Sequence, residues 1–403
     1  MAASLYLLVV LLPCVLGQCA VKKTTPLFGR AVYEFSMDLI QRLGHETENH
    51  FVASPLSLWT ILSTLSLGAD GITLTELNKI LRRTDVNCIE RTYSDILLLR
   101  GVTSATNETT LERSSTVFVD NNLPVTELYR KIVNRTGVCG IMFLPFGNLQ
   151  IAASAINDYV RRVTHDNIQE VVSPNDIEGV LLILIDAIYF KGAWSHPFDP
   201  SRTELNAPFY DESGKHVGYV NMMHGLIPLQ TIAIDPIQAK VLELPYGAQD
   251  RFSMLIFVPY SNNTVAGVMD LLKHVTIRSI FSSLNEFPED SVEVRIPRFT
   301  ISSDLDNLKE LLVGMGLKTM FDSSLAQFPF ISDTALFVSN VLQKAEIKVT
   351  EVGTEASAAS AMEMTSRNLP EQFFVNKPFM YMIVDKHLNI PLFIGAYSKP
   401  STF

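Results

Sequence analysis

Apolar residues recur at helical spacing through Phe28, Ala31, Val32, Phe35 and Leu39, which predicts an amphipathic helix over 28–43. Ser54-Pro55 opens a second helix, because proline in a first turn lacks only an N–H that has no partner there. Thr73-Leu74-Thr75-Glu76 has the spacing of a capping box and predicts the start of a third. Residues 149–163 read as a fourth. After that the period changes. Val180 to Phe190 is apolar on both faces, the pattern of a strand in the middle of a sheet. Residues 252–258, 292–296, 341–349, 379–384 and 392–396 are further strands. Helices first and strands afterwards predict an α+β architecture, not alternating βαβ units.

Residues 353–368 break the pattern, being small and polar without a bulky aliphatic side chain. Alanine richness favours a helix on propensity. Read with period two, Thr354, Ala356, Ala358, Ser360, Met362 and Met364 share one face. Glu355, Ser357, Ala359, Ala361, Glu363 and Arg367 share the other. That is the alternation of a half-buried strand, and no proline interrupts it before Pro370. On the pattern alone, strand, helix and exposed loop all stay open.

Composition narrows the class. Of 403 residues, 47% are hydrophobic and 18% charged, which describes a well-cored globular chain. A formal charge of −10 argues against nucleic acid as a partner, since phosphate neutralisation needs a basic surface. Arg82-Arg83, Arg130-Lys131 and Arg161-Arg162 are short basic spots of the kind a sulfated polysaccharide would touch; scattered, solvated helix charges are the plainer reading. Residues 1–17, with an apolar run from Leu5 to Leu12 followed by Pro13 and small residues, read as a signal peptide although an early positive charge is lacking. The run is too short to span a membrane, so a secreted, soluble, monomeric protein of one domain over 18–403 is expected. No linker or repeat divides it. Sequons begin at Asn107, Asn134 and Asn262, surface glycosylation candidates in an exported chain. With Cys14 in the leader, Cys19, Cys88 and Cys139 remain; a Cys88–Cys139 bridge and unpaired thiols are equally open, and no metal-ligand spacing or cofactor motif occurs.

Several blocks in order resemble the serpin family. These are Phe51-Val52-Ala53-Ser54-Pro55-Leu56-Ser57-Leu58 with Leu67-Gly68-Ala69-Asp70-Gly71, then Ala187-Ile188-Tyr189-Phe190-Lys191-Gly192-Ala193-Trp194, Leu242-Glu243-Leu244-Pro245-Tyr246, Val294-Arg295-Ile296-Pro297-Arg298-Phe299, and 373–383 centred on Asn376-Lys377-Pro378-Phe379. The resemblance implies three β-sheets, about nine helices and an exposed reactive loop, here about 351–372. It also implies a suicide substrate: a serine protease acylates itself on a bait residue, and the cut loop inserts into the main sheet.

The family hinge matches Glu351, Gly353, Thr354, Glu355, Ala356, Ser357, Ala358, Ala359 and Ser360. Small inward residues suit a strand that must slide between two others. The bait lies fourteen positions beyond the hinge glycine in inhibitory members, which is Arg367, so the reactive bond is Arg367–Asn368. An arginine bait implies a trypsin-like partner, whose pocket ends in a carboxylate; Met364 or Met362 would instead suit a chymotrypsin-like protease. The polar cluster that helps control sheet opening in many members maps to Ser54, Ser57, Asp186 and Gln343, where Asp186 and Gln343 depart from the usual Asn and His. Gln and Ser can still donate to a carboxylate, although a buried Asp there would make sheet opening pH-sensitive. A non-inhibitory carrier or storage protein is the alternative, and such members carry bulky, charged or proline residues in the hinge. An enzyme is not expected, since no nucleophile elbow, zinc-binding pair or phosphate loop occurs.

Overall fold

The fold is built around a long hydrophobic strand, Leu182–Ala193, whose two faces enter two different cores. A computed structural model describes residues 25–83, 104–105, 109–137, 139–166, 168–286, 288–354 and 370–402. Its helices are α1 (Thr25–Glu46), α2 (Pro55–Ser66), α3 (Gly71–Ile80), α4 (Glu127–Thr136), α5 (Leu149–Val163), α6 (Val265–Leu271), α7 (Ile277–Leu284) and α8 (Leu308–Met315). Its strands are β1 (Phe51–Ala53), β2 (Ser104–Ala105), β3 (Thr109–Asp120), β4 (Cys139–Leu144), β5 (Leu182–Ala193), β6 (Glu204–Tyr210), β7 (His216–Leu229) and β8 (Thr231–Ile234). They continue as β9 (Ala239–Tyr246), β10 (Phe252–Pro259), β11 (Asp290–Leu305), β12 (Asn340–Thr350), β13 (Gly353–Thr354), β14 (Glu371–Phe374), β15 (Phe379–Asp385) and β16 (Ile390–Tyr397).

The strands form three sheets. One runs β1-β16-β15-β10-β9-β8 and is almost wholly buried. The main sheet carries β4, β3, β5, β13, β12 and the C-terminal half of β11. The third holds β6, β7, β14 and the N-terminal half of β11, so β11 joins the two. On the main sheet, Leu182, Leu184, Ile188 and Phe190 face the large core against the six-stranded sheet. Ile183, Ile185 and Ala187 face a smaller core capped by α5 through Ala152, Ala153, Ile156 and Val160.

The α+β expectation holds, but the division into helices first and strands later does not. β3 falls within the first third, and α6 to α8 follow β5. The Thr-Thr and Ser-Ser pairs in β3 hide its alternation. The helix at 73–76 is also corrected. It begins at Gly71, with Asp70 Oδ1 accepting from Gly71 N at 2.8 Å. Glu76 is drawn away from a capping role because its carboxylate accepts from Lys318 N and Thr319 N, both at 2.8 Å.

Candidate functional site in the main sheet

β5 and β12 run parallel and pair directly only along Ile183–Ala187 and Asn340–Lys344. Beyond Lys344 they part, and Gly353-Thr354 lies between them. Thr354 pairs with Val349 on one side and Gly192 on the other; Gly353 pairs with Thr350 and Ala193. The chain reverses through Glu351-Val352 and re-enters the sheet beside its own preceding strand.

Each position in this turn is fixed from outside. A Cβ on Gly353 would lie 2.0 Å from the Gly192 carbonyl oxygen, and its φ of 142° disfavours any L side chain, so only glycine fits. Trp194 donates its indole N–H to Thr350 O at 2.9 Å and its backbone N–H to Val352 O at 3.0 Å. Phe198 N donates to Glu351 O at 2.8 Å. The Glu351 carboxylate accepts from Thr203 Oγ1 at 2.7 Å and lies 3.6 Å from Arg298 Nη1. Thr354 is buried, and its hydroxyl lies 2.7 Å from Tyr246 Oη. Tyr246 stacks on Trp194 with centroids 4.5 Å apart. Burial drives the Tyr246 phenol far above the usual tyrosine range, against the opposing effect of Thr354, so it stays a neutral hydrogen-bonding group.

Six positions along the same two strands from Gly192 and Val349, Asp186 and Gln343 are directly opposite and each 1% exposed. Gln343 Nε2 donates to Asp186 Oδ2 at 2.9 Å and to Ser54 O at 3.0 Å, while its Oε1 accepts from Ser54 N at 2.9 Å. Ser115 of β3 donates its hydroxyl to Asp186 Oδ1 at 2.7 Å. The Ser54 hydroxyl goes elsewhere, donating to Leu392 O at 2.8 Å. The Ser57 hydroxyl is buried without a partner, although Ser57 N reaches Ser54 Oγ at 3.4 Å. Ser54, Asp186 and Gln343 are therefore joined, Ser57 touches the cluster through its backbone, and Ser115 is a member that the sequence did not reveal.

Among the remaining candidates, Glu351, Gly353 and Thr354 lie in the turn and strand just described. Glu355, Ala356, Ser357, Ala358, Ala359, Ser360, Arg367 and Asn368 lie outside the described residues, as do Asn107, Cys19, Cys88 and the segment 1–17. Asn134 is exposed on α4 and Asn262 is exposed in the turn before α6; Cys139 is buried at the start of β4. The basic doublets are engaged locally: Arg82 with Asp38, Lys131 with Glu127 at 2.7 Å, Arg161 with Asp158, and Arg130 over the Phe143 ring at 4.3 Å. Among the described residues no three His, Cys, Asp or Glu gather as metal ligands, and no helix is long and apolar enough to cross a membrane. Trp194, Tyr246, Thr203 and Arg298 were not singled out from sequence. Trp194, Tyr246 and Arg298 belong to the quoted family blocks, which gave the only signal.

The chain thus parts its main sheet between two parallel strands and lodges Gly353-Thr354 in the gap. It belongs to the serpin family: the family model described as Serpin (serine protease inhibitor) matches residues 30–400. Glia-derived nexin of Homo sapiens is 33% identical over 362 residues, covering 87% of this chain and 88% of that protein. Native protease nexin-1 with heparin is similar in structure, with a TM-score of 0.81 and 28% identity, covering 93% of this chain and all of that one. Thyroxine-binding globulin in complex with thyroxine shares the fold with a TM-score of 0.79 at 23% identity, covering 93% and 99%. That last likeness concerns the fold alone.

Proposed function

We propose that this protein is a secreted, monomeric suicide inhibitor of a trypsin-like serine protease, cut at Arg367–Asn368 and closed by insertion of its loop between β5 and β12. The observation that carries the reading is Thr354 paired with both Gly192 and Val349, because a strand already started in the gap needs only to be extended. The addition of its own loop to its sheet is the family's known form of strand addition. The protease serine attacks the Arg367 carbonyl, its Oγ–C bond forms, and the Arg367–Asn368 C–N bond breaks with protonation of the departing Asn368 amine. The ester left on Arg367 travels with the inserting strand before water can hydrolyse it.

The residues from Gly353 to Ser360 support inhibition over the carrier reading. None is bulky, none is proline, and the one charge, Glu355, alternates onto the face away from Thr354. Asn134 and Asn262 are the proposed glycan sites in the described chain, with Asn107 a third. Heparin accompanies one relative, and a sulfated polysaccharide is accordingly a partner to test at the basic doublets. Incubation with trypsin is expected to give an SDS-stable complex and release a C-terminal peptide beginning at Asn368. Arg367→Ala is expected to abolish both; a complex that survives the substitution refutes the bait assignment.

A further inference from the structure

We propose that Lys240 of β9 is a positioning residue for inhibition. It clasps the start of β14, and that grip keeps an uncut loop from drawing β14 out of the third sheet. The proposal rests on the insertion reading above and names the residue that sets how long the uncut form lasts. Lys240 Nζ donates to Gln372 O at 2.7 Å and lies 2.8 Å from Glu371 Oε1. The same ammonium sits 5.6 Å from the centroid of the Phe373 ring, within the range of a cation–π contact. One side chain thus touches Glu371, Gln372 and Phe373 in succession, the first three residues of β14.

The rest of the hold on β14 comes from a single neighbour and from the core. Among the described residues β14 pairs with β11 alone, in parallel, along Val292–Arg295. Parallel pairing is slightly weaker per residue than antiparallel, and an edge strand has a ladder on one side only. Phe373 and Val375 are buried and anchor the segment from below. Two side-chain ties, Gln372 Nε2 to Glu293 Oε2 at 3.1 Å and the Arg295 guanidinium 4.9 Å from the Phe374 ring, reach β14 from β11 itself. Lys240 differs because it belongs to the six-stranded sheet. There β9 is paired on both sides, with Lys240 opposite Val258 of β10 and Ala233 of β8. Its backbone is fixed independently of the third sheet, so the clasp joins one sheet to the other.

The clasp sits where the pull falls. Glu371 is three residues beyond Asn368, so β14 begins directly after the proposed reactive bond. Thr354 pairs with Val349, which pairs with Phe299 of β11, whereas Glu371 pairs with Val292 of the same strand. A loop extending from Thr354 along β12 toward Gln343 moves toward Leu305 of β11, away from Val292. The uncut chain between them therefore tightens on Glu371 first. Peeling β14 from that end breaks the Glu371 ion pair and the Gln372 O hydrogen bond at its first step. The second is a charge-assisted bond, and the Lys240 side chain is only 29% exposed, so water compensates for it in part. Cutting the reactive bond takes the pull off the clasp, because the inserting strand then ends at Arg367.

The uncut protein, incubated alone and sampled for its inhibition of trypsin over time, tests this. The wild type is expected to lose inhibition slowly, becoming an uncut monomer that melts at a higher temperature than the fresh protein. Lys240→Met keeps the aliphatic stem and removes the charge. It should make the same conversion about tenfold faster, the loss expected for one hydrogen bond to a charged group. Lys240→Arg, which restores a donor and a positive charge, should stay within about threefold of the wild type. Equal lifetimes for the wild type and Lys240→Met would overturn the clasp while leaving insertion intact. A faster loss whose product melts no higher than the fresh protein would overturn it as well, because Lys240 would then serve only the fold. If cutting at Arg367–Asn368 leaves the melting temperature unchanged, the insertion reading falls and the clasp with it.

Discussion

Replacement of Thr354 by arginine tests whether inhibition depends on what can slide into the sheet. Thr354 is 2% exposed, and its hydroxyl pairs with Tyr246 Oη at 2.7 Å inside the large core. Thr354→Arg would set a guanidinium among Tyr246, Phe190 and Trp194, with no carboxylate hydrogen-bonded at that point. An uncompensated buried ion costs several kcal/mol even after relaxation, and the orphaned Tyr246 hydroxyl adds about 1–3 kcal/mol. On the proposed mechanism the hinge would be expelled from the gap, and the Arg367–Asn368 bond would still be cut. If only about 3 kcal/mol of this falls on the insertion step, insertion slows by more than a hundredfold, since about 1.4 kcal/mol is a factor of ten. Deacylation of the protease then wins the race. Titration of trypsin should need many molecules of the variant per protease inactivated, with cut inhibitor accumulating on an SDS gel. A variant that still forms a one-to-one SDS-stable complex would refute insertion from this hinge.

Two further predictions concern stability. Gln343→Leu removes the partners of Ser54 N, Ser54 O and one Asp186 oxygen together, so the uncut protein should lose about 3 kcal/mol, read as a lower denaturant midpoint; an unchanged midpoint would show that the cluster does not hold the closed part of the sheet. His50 accepts from Ser398 N at 3.3 Å and Lys399 N at 3.2 Å through Nδ1, and burial together with Lys399 lowers its pKa from 6.5. Because the unfolded chain takes up that proton first, this contribution is complete above about pH 6.5 and is lost as the pH falls below it. His50→Gln should flatten that part of the stability curve, and an identical curve for both proteins would remove His50 from the account.

Much of this was legible in the sequence wherever one element decides its own pattern. Val180 to Phe190 announced a central strand because both of its faces are apolar, and the two cores it separates explain why. Ser54-Pro55 announced a helix start because the cap is local: Ser54 caps and Pro55 occupies the first turn. The failures are tertiary. Glu76 has the spacing of a cap residue but serves Lys318 and Thr319, more than two hundred positions away in the chain. Ser115 joins Asp186 only because β3 and β5 pair there, and no local signal carries that register. The period-two alternation was readable from Thr354 onward, and Gly353 and Thr354 do pair as a strand, while the rest of that segment lies outside the described residues.

On the proposed mechanism, the geometry also accounts for why the uncut chain waits. β14 holds Glu371 opposite Val292, seven positions along β11 from Phe299, which lies level with Val349 and hence with Thr354. At ~3.3 Å per residue that is about 23 Å on the far side of Thr354 from the closed end of the gap. A fully inserted strand would carry Met364 level with Leu182, ten positions the other way, or about 33 Å. The seven residue steps from Met364 to Glu371 reach at most about 25 Å when fully extended. They cannot bridge some 56 Å. The intact loop can therefore lodge its first two residues in the sheet but cannot finish while β14 stays paired to β11. On that mechanism, cutting Arg367–Asn368 would remove the tether while β14 stays paired to β11, and the freed strand could then extend between β5 and β12.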